Sequence, residues 1–293
     1  MIGSSNGFAQ QYRFAAAELA DEGFRARAIS LVLAGGVVSG VFGPETAKWS
    51  RDLFAPVLFA GCFAMIVVLQ IGAAALLTFV RLPPPPPRGS VRGEGRPLGR
   101  IARQPLFLVA LLCGMIGNGA MALVMTATPI AMIGCGFHFT DAAFVIQWHI
   151  LGMYGPSFFT GSLISRFGLP AVLLTGAVLL LACCGINLAG IAEGNFWAAN
   201  ALLGVGWNFL FVGGTTLLTR TYRPEERAKV QALNDFMIFG TATVSALSSG
   251  ALLAGLGWAA VQLTVLPFVA VAAAAILWLR WNAARAEPSY AGS

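Results

Sequence analysis

Runs of about 20 apolar residues, separated by short polar segments, follow one another along almost the whole chain. A helix needs about 20 predominantly apolar residues to cross the hydrocarbon core of a bilayer. The pattern therefore predicts membrane-spanning helices, at residues 28–49, 54–80, 105–133, 142–165, 169–191, 196–219, 230–253 and 258–279. Residues 1–20 are predicted as a weaker first helix, because Gln10, Gln11 and Arg13 interrupt its apolar character.

Residues 81–104 form the only long polar interruption in this pattern. Five consecutive prolines at 83–87 cannot continue a helix and favour an extended polyproline II rod. The segment contains six arginines and a single acid, Glu94, and loops so rich in positive charge stay on the cytoplasmic side of a membrane. The predicted domains are a partial N-terminal bundle of about three helices (1–80), a cytoplasmic linker (81–104), a six-helix C-terminal bundle (105–281) and a cytoplasmic tail (282–293).

The positive residues test this layout. The loops on the linker's side of the membrane contain most of them, at Arg25, Arg27, Arg166, Arg220, Arg223, Arg227, Lys229, Arg280 and Arg285. The loops on the opposite side contain Lys48 and Arg51 alone. This alternation supports the predicted boundaries together, because cytoplasmic loops carry an excess of Lys and Arg.

The composition agrees with a membrane protein and argues against a soluble one. The chain is 57% hydrophobic and 10% charged, whereas soluble domains carry about 25% charged residues. The predicted fold class is an all-α polytopic membrane protein, with the lipid bilayer as a partner. The net charge of +6 is explained by topology and predicts no nucleic-acid partner. No nucleotide loop, nucleophile–base set or metal-ligand spacing occurs, so the sequence predicts no enzyme, no catalytic residue, no cofactor and no metal.

The segment GSLISRFG at 161–168 resembles the loop motif G-x-L-x-D-R-x-G of the major facilitator superfamily of secondary transporters. Gly161, Leu163, Arg166 and Gly168 match that motif, whereas Ser165 replaces its aspartate.

Two further features carry the same resemblance. Gly36, Gly40, Gly43 and Pro44 resemble the glycine–proline motif of the fifth family helix, although the spacing departs from the full motif and its trailing glycine pair is absent. A long basic loop followed by six spans resembles the join between the two six-helix halves of that family.

The resemblance implies transport of a small organic solute by alternating access, driven by an ion gradient with protons as the candidate coupling ion. It implies a bacterial inner-membrane protein and does not imply an oligomer. Residues 1–20 then resemble the fourth family helix, and the first three helices have no counterpart. Two alternatives stay open: a transporter whose N-terminal helices precede Met1, or a non-transporting truncated fragment or structural membrane protein.

Substrate-binding candidates follow from the helices that line the cavity in this family. Arg13, with Gln10 beside it, is expected either to bind an anionic group or respond to proton movement, or to reach out to the cytoplasmic face. Asn118, Asn208 and Trp207 are expected either to hydrogen-bond and stack on a substrate or to join helices.

Two titratable residues complete the candidates. His149 is expected to serve proton coupling or substrate contact, or to be a neutral packing histidine, which the absence of a carboxylate on its segment favours. Asp235 is expected in the first turn of its helix, where it acts as a cap or as a latch at the cytoplasmic gate, paired with Arg227 or Lys229.

Overall fold

A computed structural model describes residues 2–57, 60–79 and 95–286, and within these ranges it contains helices and no strand. The helices are α1 Ile2–Leu19, α2 Arg25–Ala34, α3 Gly36–Ser50, α4 Ala60–Leu77, α5 Leu98–Ala102, α6 Pro105–Gly134, α7 Phe139–Tyr154, α8 Ser157–Phe167, α9 Leu169–Ala189, α10 Glu193–Leu218 and α11 Arg227–Ala286. A 3₁₀ turn, Pro224–Glu226, precedes α11. Six helical stretches of the described chain are long and apolar enough to cross a membrane, which confirms an all-α polytopic membrane protein.

Two predicted spans differ from the helices that form. Residues 142–165 give two helices, α7 and α8, because Pro156 at the junction has no N–H to continue α7. Residues 28–49 likewise divide into α2 and α3 at Gly35. The predicted turn between the last two spans, 230–253 and 258–279, agrees with α11, which changes direction at Gly257, where φ is 81°. A positive φ is reached at little cost only by glycine.

The linker prediction lies partly outside the described residues, since these omit 80–94 and with them the five prolines. Residues 95–104 are described, and they contain the short helix α5, whose Ile101 is fully buried. At the other end, α11 continues to Ala286, past the predicted start of the tail at 282. The domain boundaries stay predictions.

The chain forms two compact units, one of Met1–Val37 with Gly95–Ser293 and the other of Val38–Glu94. In the first unit α10 is the central helix, and α6, α7 and α9 pack around it. Glycines allow this close packing: a Cβ on Gly204 would lie 2.7 Å from the Met153 backbone nitrogen of α7, closer than real Cβ contacts. In the second unit, the side chains of α4 are mostly apolar and exposed.

Candidate substrate site and ion-pair latch

Three aromatic side chains, Tyr154 of α7 and Trp207 and Phe211 of α10, form what we call the aromatic row. Trp207 and Phe211 lie four residues apart, so they share one face of α10, and their rings stack with centroids 4.7 Å apart and planes 16° apart. Tyr154 meets Trp207 edge-on, with centroids 5.9 Å apart. The row therefore forms a buried aromatic cluster where α7 and α10 meet.

Arg13 of α1 lies at the end of the aromatic row. Its guanidinium carbon is 4.2 Å from the Phe211 ring centroid and 4.6 Å from that of Phe14. Only 1% of Arg13 is exposed. The expectation that Arg13 reaches out to the cytoplasmic face is therefore wrong, because the two rings and its ion pair hold the guanidinium inside the protein.

Asp235 of α11 is the partner of Arg13, with Arg13 Nη2 2.5 Å from Asp235 Oδ1. Gln11 Nε2 donates to the other carboxylate oxygen at 2.9 Å. The predicted pairing of Asp235 with Arg227 or Lys229 is wrong, and so is its place in the first turn. The helix begins at Arg227, so Asp235 lies beyond its second turn and faces α1 instead.

Arg227 and Lys229 have other partners. Arg227 Nη1 lies 2.5 Å from Glu18 Oε2, and Glu18 also accepts a hydrogen bond from Gln231 Nε2 at 3.0 Å. Lys229 Nζ donates to the Arg96 carbonyl at 2.6 Å. We call the set that joins α1 to α11 the latch, which consists of Arg13, Glu18, Arg227, Gln231 and Asp235.

Glu18, Arg227 and Gln231 were not among the predicted site residues, although the sequence holds a signal for one of them. Gln231 and Asp235 are four residues apart and share one face of α11. Gln231 also donates to the Tyr222 hydroxyl at 2.7 Å, and burial raises the pKa of Tyr222 to about 12. The partner on α1 is more than 200 residues away, and spacing along the chain gives no sign of it.

Asn118 of α6 fixes the indole of the aromatic row. The Trp207 ring N–H donates to Asn118 Oδ1 at 3.1 Å, while Asn118 Nδ2 donates to the Gly114 carbonyl at 2.9 Å. Asn118 and Trp207 are thus brought together with Arg13 around one site, as three of the predicted substrate-binding residues.

Asn208 points away from that site. Its amide donates to the Met153 carbonyl at 2.7 Å and to Ser157 Oγ at 2.5 Å, and its oxygen accepts from Thr160 Oγ1 at 2.6 Å. These bonds join α10 to the α7–α8 junction, and Asn208 is fully buried. The geometry describes the helix-joining alternative, and substrate binding by Asn208 stays a prediction.

His149 is also fully buried, in the contact between α7 and α10. Its Nδ1 lies 2.9 Å from the Asn200 carbonyl oxygen, and its Nε2 has no hydrogen-bond partner among the described residues. This is the arrangement that the packing alternative describes. The remaining substrate candidate, Gln10, has a side chain outside the described residues.

Gly161, of the loop motif, lies where α8 crosses α2. Its N–H donates to Ser30 Oγ at 3.1 Å, and the Ser30 hydroxyl in turn donates to the Ser157 carbonyl. A Cβ on Gly161 would lie 2.5 Å from Arg27 Cα, so only glycine allows this approach.

The other predicted gating residues take simpler positions. Gly168 ends α8 with φ 83°. Arg166 is exposed, its guanidinium lies 5.2 Å from the Phe167 ring centroid, and it forms no ion pair with any described residue. Gly43 is exposed on α3, and the Pro44 side chain is outside the described residues.

Arg96 fastens the end of the linker to the turn before α11. Its Nε and Nη2 donate to the two carboxylate oxygens of Glu226 at 2.8 and 2.6 Å, and its backbone N–H donates to the same group at 2.7 Å. These bonds raise the pKa of Arg96. A two-pronged charged contact of this kind is among the strong hydrogen bonds in proteins.

Comparison with known proteins agrees with this architecture. The profile of the Major Facilitator Superfamily matches residues 148–292. The chain is 42% identical over 282 residues to the riboflavin transporter RfnT of Brucella anthropi, covering 96% of this chain and 71% of that protein. It is 30% identical over 264 residues to the uncharacterized MFS-type transporter YddS of Bacillus subtilis, and 29% identical over 272 residues to YdeG of the same organism.

The Bacillus proteins match over 83% and 86% of this chain, which spans 58% and 62% of their lengths. The match to the Brucella protein covers more than two thirds of both sequences. The chain therefore belongs to the major facilitator superfamily, a family of membrane transporters and not of enzymes.

Proposed function

We propose that this chain takes part in moving a small planar aromatic solute across a membrane, with riboflavin as the leading candidate. The single observation that carries the proposal is the aromatic row, with Arg13 over its Phe211 end. Riboflavin has a flat, fused aromatic ring system, and aromatic rings that stack gain about 0.5–1.5 kcal/mol beyond their burial. The similarity to a riboflavin transporter supports the same solute.

Each member of the site has a distinct part in this proposal. Trp207 offers a ring face to the solute, and Phe211 supports Trp207 from behind, since Phe211 is itself covered by Trp207 and by Arg13. Asn118 holds the Trp207 indole in its orientation through the 3.1 Å hydrogen bond. Arg13 offers hydrogen-bond donors at the end of the row. Because the row lies between helices and not on a loop, its geometry is held by packing.

The latch supports alternating access as the mechanism. It joins α1, which precedes the linker, to α11, which follows it. Movement of the helices before the linker relative to those after it would have to break these contacts, which lie toward the end of α1 and the start of α11. The positive charge of the loops supports a position of this end of the helices on the cytoplasmic side, in a bacterial inner membrane. An ion gradient, with protons as the candidate ion, supplies the energy.

Riboflavin binding tests the proposed site. Riboflavin is fluorescent, and stacking on Trp207 is expected to quench it, so titration with the purified full chain in lipid nanodiscs yields a Kd. In Trp207→Ala we expect the Kd to rise about tenfold, because one stacked ring and its buried surface are lost.

The matched control is Trp148→Ala, which removes a tryptophan that is 40% exposed and lies on α7 outside the row. Its Kd should stay within twofold of the original. Equal Kd values in Trp207→Ala and the unaltered chain would contradict the site. No binding by the folded, unaltered chain would favour the non-transporting alternative.

A further inference from the structure

The Arg13 guanidinium has more N–H donors than it has hydrogen-bond partners in the described part of the chain. A guanidinium has five N–H donors. Arg13 Nη2 bonds to Asp235, but Nε and Nη1 are buried and have no hydrogen-bond partner among the described residues. Buried donors without partners are costly, so the arrangement favours a ligand that brings acceptors to this point.

The two rings that contact Arg13 restrict how such a ligand can bind. The ring centroids of Phe14 and Phe211 lie 4.6 and 4.2 Å from the guanidinium carbon, so the rings occupy space beside it and limit the directions from which acceptors can approach. Phe211 also stacks on Trp207. A flat ligand on the aromatic row would therefore bring its edge, and not its face, to the free donors.

The charge around these donors is already balanced. Asp235 neutralises Arg13 at 2.5 Å, and the neighbouring pair of Glu18 and Arg227 is likewise balanced. Between Phe196 and Leu218, α10 carries no charged residue, and neither does α6. An anion placed here would meet no cation on α6 or on this part of α10, and Arg25 of α2 donates to the Ala17 carbonyl. A buried, uncompensated charge is strongly unfavourable.

We propose that the Arg13–Asp235 pair is a charge filter: it admits an uncharged compound whose aromatic ring has hydrogen-bond acceptors on its edge, and it rejects a derivative of that compound that carries an anionic group. This inference rests on the proposed function and names the substrate class of that site. Riboflavin is uncharged at neutral pH, whereas its 5′-phosphate carries about −1.5 to −2 charges. The two compounds share the ring and differ in charge.

The selectivity of the filter is measured by a ratio, the Kd of riboflavin 5′-phosphate divided by the Kd of riboflavin. We expect a ratio of about ten or more for the unaltered full chain in nanodiscs made of zwitterionic lipid. Asp235→Asn leaves Arg13 uncompensated, so the ratio should fall at least about fivefold. Arg13→Gln leaves Asp235 uncompensated and removes donors, so riboflavin should bind about tenfold more weakly and the ratio should rise.

The matched control is Glu225→Gln, which makes the same charge change at an exposed residue in the turn before α11. Its ratio should equal that of the unaltered chain. The inference is overturned alone if riboflavin binds and Asp235→Asn, folded by circular dichroism and gel filtration, keeps the original ratio. If Asp235→Asn does not fold, an unchanged or lower ratio in Arg13→Gln overturns it. Binding of neither compound by the unaltered chain overturns the proposed function together with this inference.

Discussion

At the scale of single residues, neighbours and hydrogen-bond partners separate the buried polar side chains into two groups. Asn118 and Arg13 lie beside the aromatic row. Asn208 and His149 have their hydrogen-bond partners in the helix backbone and in hydroxyls of neighbouring helices. The sequence identified all four as polar residues inside spans, but it does not reveal which face of a helix meets the site, since that depends on how the helix is rotated in the bundle.

Asn208 can be tested as a packing residue. Asn208→Ala leaves the buried hydroxyls of Ser157 and Thr160 with fewer partners, and each unsatisfied group costs about 1–3 kcal/mol. We expect a lower unfolding temperature, measured by intrinsic fluorescence in detergent, and a riboflavin Kd within twofold of the original. A stable variant that has lost riboflavin affinity would instead support Asn208 as a substrate ligand.

At the scale of helices, the contact between α2 and α8 depends on the absence of a side chain. Gly161 lies against the backbone of Ala26 and Arg27, and the Ser30 hydroxyl bonds to both sides of the crossing. The motif that includes Gly161 resembles a loop motif, and its residues give no sign of the helix against which Gly161 packs. Packing, and not loop geometry, explains this glycine.

Gly161→Ala should therefore destabilise the protein. Its Cβ would lie 2.5 Å from Arg27 Cα, and forcing a methyl group into such a contact costs about 1–3 kcal/mol. We expect thermal unfolding of the purified chain at a lower temperature. Gly185→Ala on α9 is the control, since a Cβ there meets nothing within 4 Å, and alanine in a helix gains about 0.5–1 kcal/mol over glycine. Equal unfolding temperatures in the two variants would contradict the close approach.

At the scale of the whole molecule, apolar run length predicted most of the helices, because the bilayer sets how long a spanning helix must be. The turn between the spans 230–253 and 258–279 was also predicted, and α11 changes direction there, at Gly257. The divisions at Gly35 and Pro156 were less accessible, because a glycine or proline can either break a helix or remain inside it, as Pro129 does in α6. The pairing of Arg13 with Asp235 was missed altogether, since it joins residues 222 positions apart. The pattern of apolar residues predicts local structure only, and not contacts between distant residues.

The same long-range contacts give the molecule its proposed mode of action. In the proposal, the aromatic row binds the solute, while the latch beside it joins the helices before and after the linker. Solute and latch would then meet at Arg13, so the proposed site and the contacts that would break during transport share one side chain.

Riboflavin counterflow tests the central claim most directly. Liposomes that contain the purified full chain are loaded with unlabelled riboflavin and diluted into a trace of labelled riboflavin, and the internal label is followed in time. The account predicts a saturable transient accumulation of label above that in protein-free liposomes, reduced in Trp207→Ala and unchanged in Trp148→Ala. Label that enters no faster than in protein-free liposomes, with the chain folded and inserted, would contradict transport of riboflavin by this chain.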